Sequence, residues 1–198
     1  MQAMGTMLDY AVNACNQDLE QFCYRFFCSG VARSLFQFSP KYMGLSGIEL
    51  AAIVSRRTGD SLPDAPPYID VGSPEYWTGW ALAYYQWRRC WSFHEINSFA
   101  SIEKICNLYH PYHEMDIEKL VELLDEWYHL AHPMSRLKTC RLEANLSQSQ
   151  LASLSGVPLR TLQQYEQRQK RLDAARADSL LSLAQALHCP PANLLEPA

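Results

Sequence analysis

The chain has 198 residues, close to half of them apolar, and a formal net charge of −4. That is enough apolar material for one large domain, or a medium one joined to a small one, and it argues against a disordered chain. The seven cysteines are scattered without a C-x-x-C pair, a pattern that suits reduced intracellular thiols better than a disulfide framework.

The charge is unevenly placed. Residues 134–198 hold eight basic and five acidic side chains, a net of +3, whereas residues 1–133 hold nine and sixteen, a net of −7. After Tyr128 the only aromatic residue is Tyr165. Two bodies of different composition are therefore expected, 1–133 and 134–198, divided near His132-Pro133, where proline disfavours helix in the residue before it. The first basic residue is Arg25, so no secretory signal is expected. The longest strongly apolar run, Trp77–Trp87, is far shorter than the roughly 20 residues that cross a bilayer. A cytoplasmic protein without membrane association is the expectation.

In chain order, Asp18–Phe36 sets Leu19, Phe22, Cys23, Phe26, Phe27 and Val31 on one helical stripe. Ser46 and Glu49 form an S-x-x-E capping box ahead of a helix to Arg57, and Thr58-Gly59 supplies its stop. SLPDAPPY (61–68) reads as a proline-rich connector and Tyr68–Val71 as a short strand. Ser73-Pro74-Glu75 starts a helix with a cap, a proline at the first position and an acid near the positive end. That helix carries Trp77, Trp80, Ala81, Tyr84, Trp87 and Trp91 at helical spacing. Ser92–Glu95 is a second capping box, Ser101 opens a short helix, and Asp116 caps a long one with Leu120, Val121, Leu124, Trp127 and Tyr128 inward.

Aromatic residues surround most of the segment SPEYWTGWALAYYQW, more than one buried stripe accommodates. Tyr76, Trp77, Trp80, Tyr84, Tyr85 and Trp87 are thus a possible partner or ligand surface as well as core. The segment Cys106–Glu114 brings Cys106, His110, His113 and Glu114 close in sequence, but the spacing fits no strong zinc pattern, and Pro111 interrupts the helix that would align the two histidines. It reads as a polar loop. With no glycine-rich phosphate loop, no H-E-x-x-H and no G-x-S-x-G, neither an enzyme nor a cofactor or metal is expected.

The second body has short helices and little aromatic content. Leu137, Cys140 and Arg141 share a face in LKTCRLEANL (137–146). Ser147 caps a helix over Gln148–Leu154, and Ser155-Gly156 turns the chain, glycine permitting the positive φ of a tight corner. Pro158 opens a helix to about Gln167 with Leu162 and Tyr165 inward. Ala177–Leu187 and Ala192–Leu195 complete five helices.

Leu146-Ser147-Gln148, Gln150-Leu151-Ala152, Ser155-Gly156-Val157, Thr161-Leu162, Tyr165-Glu166, Leu183–Leu187 and Asn193-Leu194-Leu195 together resemble the Cro/C1-type (XRE) helix-turn-helix family over about 137–195. The resemblance implies a five-helix, lambda-repressor-like DNA-binding domain; with the helical patterns of the first body, the chain is expected to be all-α, a mostly helical N-terminal domain followed by that domain. The resemblance also implies double-stranded DNA as partner and base contacts at Leu159, Arg160 and Gln164; Gln163 also points outward on the same helix. Arginine suits guanine and glutamine adenine. Gln148 matches the family's phosphate-contacting glutamine, and Ser147, Thr161, Arg168, Lys170 and Arg171 are further phosphate candidates. Two departures stand out: a longer loop after Glu166, and no glycine near 168.

A helix-turn-helix of this size is expected to act as a homodimer, because one recognition helix reads few base pairs. The acidic first body is then expected to dimerise, sense a ligand or hold a protein partner, as in antitoxins that repress their own operon and neutralise a toxin. GLSGIELA and SPEYWTGWALAYYQW are also similar to uncharacterised Firmicutes regulators. The alternatives are a one-component ligand sensor and a scaffold whose helix-turn-helix reads no DNA.

Overall fold

The computed structural model describes residues 1–63 and 65–196; Asp64 of the proline-rich connector, and Pro197 and Ala198 at the end of the second expected domain, lie outside them. All regular structure among the described residues is helical. The chain divides into two compact units, Met1–Tyr128 and His129–Ala198.

The first unit opens with a helix that the sequence reading passed over, α1 (Gln2–Asp9), continued by a π-helical turn over Tyr10–Ala14. Met4, Met7, Leu8 and Ala11 recur at i, i+3, i+4 and i+7, and all are buried. α1 packs on α5 (Gly47–Arg57) and α6 (Pro74–Arg89). Glycines let the backbones touch. A Cβ on Gly79 would stand 2.4 Å from the Met4 carbonyl oxygen, and one on Gly47 would stand 2.5 Å from the Ala3 carbonyl oxygen. Backbone atoms cannot step aside as a side-chain tip can. Gly79→Ala is therefore expected to destabilise this unit by about 1–3 kcal/mol, read as a lower denaturation midpoint. Gly44→Ala, whose added carbon meets open space, is the control and should change it little.

The caps form as their residue types require. Ser46 and Glu49 make both halves of the box at α5, and Ser92 and Glu95 do so at α7 (Phe93–Phe99). Ser73 accepts from the Tyr76 N–H at 3.0 Å, with Pro74 in the first turn of α6. Ser101 caps α8 (Ile102–Cys106). The Asp116 carboxylate takes the Glu118 N–H at 3.0 Å ahead of α10 (Ile117–Ala131), which buries Leu120, Val121, Leu124 and Tyr128.

Three expectations need correction. The stripe Asp18–Phe36 is two helices, α2 (Leu19–Cys28) and α3 (Val31–Phe36), because Gly30 takes φ +74° between them. α4 (Pro40–Met43) follows. Among the described residues there is no strand, so Tyr68–Val71 is loop. Its backbone hangs on a side chain: the buried Asp9 carboxylate accepts from the Asp70 N–H at 2.9 Å, the Ser73 hydroxyl at 2.6 Å and the Asn13 amide at 2.8 Å. The aromatic helix ends at Arg89, where Cys90 turns the chain with φ +53°. Trp91 lies beyond it, edge-on to Tyr128 at 4.4 Å and Phe99 at 5.2 Å.

The second unit contains α11 (Arg136–Glu143), α12 (Gln148–Ser155), α13 (Leu159–Glu166) and α14 (Ala177–Ala186). Its core is Leu137, Leu151, Val157, Leu162, Leu172, Leu183 and Leu194. Ser147 and Gln150 close a capping box on α12, and Gly156 ends that helix with φ +71°. Pro158 precedes the first residue of α13 instead of occupying it, holding ψ 136° in extended conformation. The expected last helix is a 3-10 turn, Pro191–Asn193.

Candidate nucleic-acid interface

α13 divides cleanly by burial. Leu162 and Glu166, one turn apart, are buried, and Tyr165 is half-buried beside them. Arg160, exposed, and Gln164, half-buried, lie on the opposite face; the half-buried Gln163 is on the flank, and Leu159, exposed, stands in the first turn on the side of Leu162. No hydrogen bond or ion pair engages the Arg160 guanidinium among the described residues, so its donors are available to a base edge.

Behind that face lies a closed polar network. The Arg141 guanidinium donates to the two Glu166 carboxylate oxygens at 2.6 and 3.0 Å and to the Leu146 carbonyl at 2.7 Å. The Gln148 amide donates to Glu166 at 2.8 Å and accepts from the Gln163 amide at 3.3 Å. Three helices are thereby tied at the base of α13. Burial pushes the Glu166 carboxyl upward, but the Arg141 and Gln148 hydrogen bonds outweigh it and hold the group below the ordinary glutamate range.

The sequence reading missed Glu166 as a buried group. The available signal was positional: Arg141 follows Leu137, and Glu166 follows Leu162, each by four residues. Two opposite charges at apolar positions of neighbouring helices ask for each other.

The phosphate candidates differ in their present engagement. At the start of α12 the capping box takes the N–H groups of Ser147 and Gln150. Those of Gln148 and Ser149 have no carbonyl one turn back, and helix starts of this kind attract anions. Thr161 is half-buried and Lys170 exposed. Arg171 is exposed and clasps Asp173, its Nε donating at 3.0 Å. Arg168 takes φ +56°, the left-handed conformation for which the family's glycine is suited. Its guanidinium donates to the His132 carbonyl at 2.9 Å and the Met134 carbonyl at 3.0 Å, and lies 3.3 Å from Glu196. That side chain fastens the segment ahead of α11 to the end of the unit, and a phosphate would have to compete with those bonds.

In the first unit, Trp80 stacks on Tyr84 at 5.5 Å, and Trp77 meets Tyr109 edge-on at 5.8 Å. Tyr76, Trp77, Trp80 and Tyr84 are half-buried and Trp87 is 55% exposed. Tyr85 is a correction: it is fully buried and donates its hydroxyl to Asp125 at 2.9 Å, so it belongs to the core and not to the surface. In α9 (Tyr109–Tyr112) and after it, the rings of Tyr109, His110 and His113 pack on one another. Among the described residues no three His, Cys, Asp or Glu side chains are grouped to hold a metal ion. Nor is any helix among them long and apolar enough to cross a membrane.

The Helix-turn-helix family model matches residues 137–194. This stretch is a Cro/C1-type helix-turn-helix domain, the DNA-binding module of transcription regulators. No curated protein and no solved structure matches the chain.

Proposed function

We propose that this helix-turn-helix reads a specific operator as a homodimer, while residues 1–133 bind a protein partner, in the manner of an antitoxin that represses its own operon. The observation that carries the DNA-reading half is the accessible part of α13, Leu159 and Arg160 exposed and Gln163 and Gln164 half-buried, on a helix tied to its neighbours by the Arg141–Glu166–Gln148 network. Preorganised donors lose less freedom on meeting DNA. The dimer follows from arithmetic, since four side chains on one helix address only a few base pairs. Support for a protein partner comes from the first unit's net charge of −7 and its half-exposed aromatic row, Trp80, Tyr84 and Trp87. An acidic body is repelled by the phosphate backbone, and exposed tryptophans are characteristic of protein contacts.

The test is selection from randomised duplexes by the full chain, followed by affinity against salt concentration. An enriched inverted repeat with half-sites about 10 bp apart, or a multiple of that, is the expected result. Weak, steeply salt-sensitive binding with no enriched sequence would sink the reading. A second reading, a one-component ligand sensor, is favoured by one observation. A small groove of about 230 Å³ in the first unit is lined by Met4, Phe38, Tyr42, Met43 and Trp87, apolar surface for a small molecule. A metabolite that quenches Trp87 fluorescence and changes operator affinity would decide for it.

A further inference from the structure

Helix α10 crosses the boundary between the two units and ends at Ala131, and α11 begins at Arg136 behind its Ser135 cap. His132, Pro133 and Met134 lie between the helix end and that cap, and all three are exposed, so packing does little to hold them. One side chain takes all three of their carbonyls. The Arg168 guanidinium donates through Nη2 to the His132 carbonyl at 2.9 Å and the Met134 carbonyl at 3.0 Å, and through Nη1 to the Pro133 carbonyl at 3.5 Å. The Glu196 carboxylate closes the clamp: it lies 3.3 Å from Nη2 and accepts the Arg136 N–H at 2.7 Å. Bonds to charged groups are stronger than neutral ones, and the two side chains are 24% and 21% exposed, so water competes weakly with them.

We propose that Arg168 is a specificity-determining residue, one that fixes the spacing between the two half-sites of the operator by holding the connection into the helix-turn-helix. This role rests on the homodimer reading, with the two copies joined through the first unit, the larger of the two. Arg168 is then a positioning residue that acts through residues 132–134 and not on the DNA. The geometry of the duplex makes the consequence large. With about 10 bp and about 34 Å per turn, each base pair added between half-sites moves the second by about 3.4 Å and turns it by about 35°. A clamped connection cannot follow both changes. Three released residues reach up to about 10 Å, enough to follow the shift of one or two base pairs. A linked pair of readers gains avidity, roughly 10²–10⁴-fold, only where the link spans both sites at once. A stiff link confines that gain to one spacing, and a loose one spreads a smaller gain over several. The backbone of Arg168 separates the clamp from the fold. It takes φ +56°, where glycine is favoured, so Arg168→Gly removes the guanidinium and relieves the strain together.

Affinity of the full chain is measured for duplexes carrying the selected inverted repeat with its spacer lengthened or shortened by one and two base pairs, and for a single half-site. The wild type is expected to lose about tenfold or more with each change of spacer, whereas Arg168→Gly should bind all of them within about threefold. Its affinity for the single half-site and its denaturation midpoint should match the wild type. Arg168→Asn, which also tolerates the left-handed backbone, is the second variant should the first fail to fold. An unchanged spacing profile in a folded variant would overturn the proposal. So would a loss equal on every duplex, the half-site included, because that is the mark of a phosphate contact. A wild type that reads the repeat at any spacing overturns this role and leaves the DNA-reading proposal intact; a wild type that selects no repeat overturns both.

Discussion

Arg141→Met is expected to cost the C-terminal unit about 3–5 kcal/mol, the largest stability loss of any single substitution considered for it. The reason is asymmetry. Removing the guanidinium leaves Glu166, whose side chain is 1% exposed, as a buried carboxylate with only the Gln148 amide for company. The partner double variant, Arg141→Met with Glu166→Leu, removes both charges and should recover most of the loss, since apolar replacement of a buried pair is often close to neutral. Equilibrium denaturation of the single and double variants checks both values. A single variant as stable as wild type would mean that the pair is not buried in solution.

The same pair sets an acid limit. The folded Glu166 carboxyl is held below its unfolded value, so its contribution is complete above the ordinary glutamate pKa of about 4.3 and disappears as pH falls through the lower folded value. As pH falls through that window the wild type should lose stability relative to the double variant, which has no carboxylate at position 166 to protonate. Above it, stability from this group is flat with pH.

What the sequence made legible followed the strength of local signals. The caps at Ser46, Ser73, Ser92, Ser101 and Ser147 are visible because the residue that accepts the first-turn N–H is adjacent to the helix it starts. The corner at Gly156 is legible for the same reason, one residue with one conformational demand. The misses are places where a distant partner decides. α1 has neither a side-chain cap nor a charged face, and it is held by close backbone contact with Gly79 and Gly47, far along the chain. Tyr68–Val71 reads locally as a short strand but finds Asp9 where a strand needs another strand. Cys90 and Arg168 take left-handed conformations that are disfavoured for such residues, so no local rule announces the turn. In the candidate interface, the outward face of α13 could be read from helical spacing, and it remains exposed or half-exposed in the structure. The bonds that engage Gln148, Gln163 and Arg168 could not, because each closes on a group outside its own helix.

That difference in engagement makes the proposed reading side chains separable by experiment. Arg160→Ala and Gln164→Ala should each lose about 1–3 kcal/mol of discrimination per half-site if the side chain meets a base bidentately. The proposed dimer would carry each contact twice, so the loss over a whole operator should double, and preference should relax at the contacted base pair alone. Gln163 is bonded to Gln148, so Gln163→Ala is expected to act by loosening the network as much as by losing a base, changing stability along with affinity. Lys170 is exposed and outside α13; Lys170→Ala should weaken all duplexes alike and lower the salt slope by about 1 for each phosphate contact removed. These three patterns differ in kind, not only in size: one changes sequence preference, one changes stability, one changes salt dependence. Fluorescence anisotropy with the selected duplex and single-base variants of it, at two salt concentrations, separates them. Unaltered affinity and preference in the Arg160→Ala, Gln164→Ala double variant would leave α13 as a structural helix in a scaffold, and DNA reading would have to be abandoned as its function.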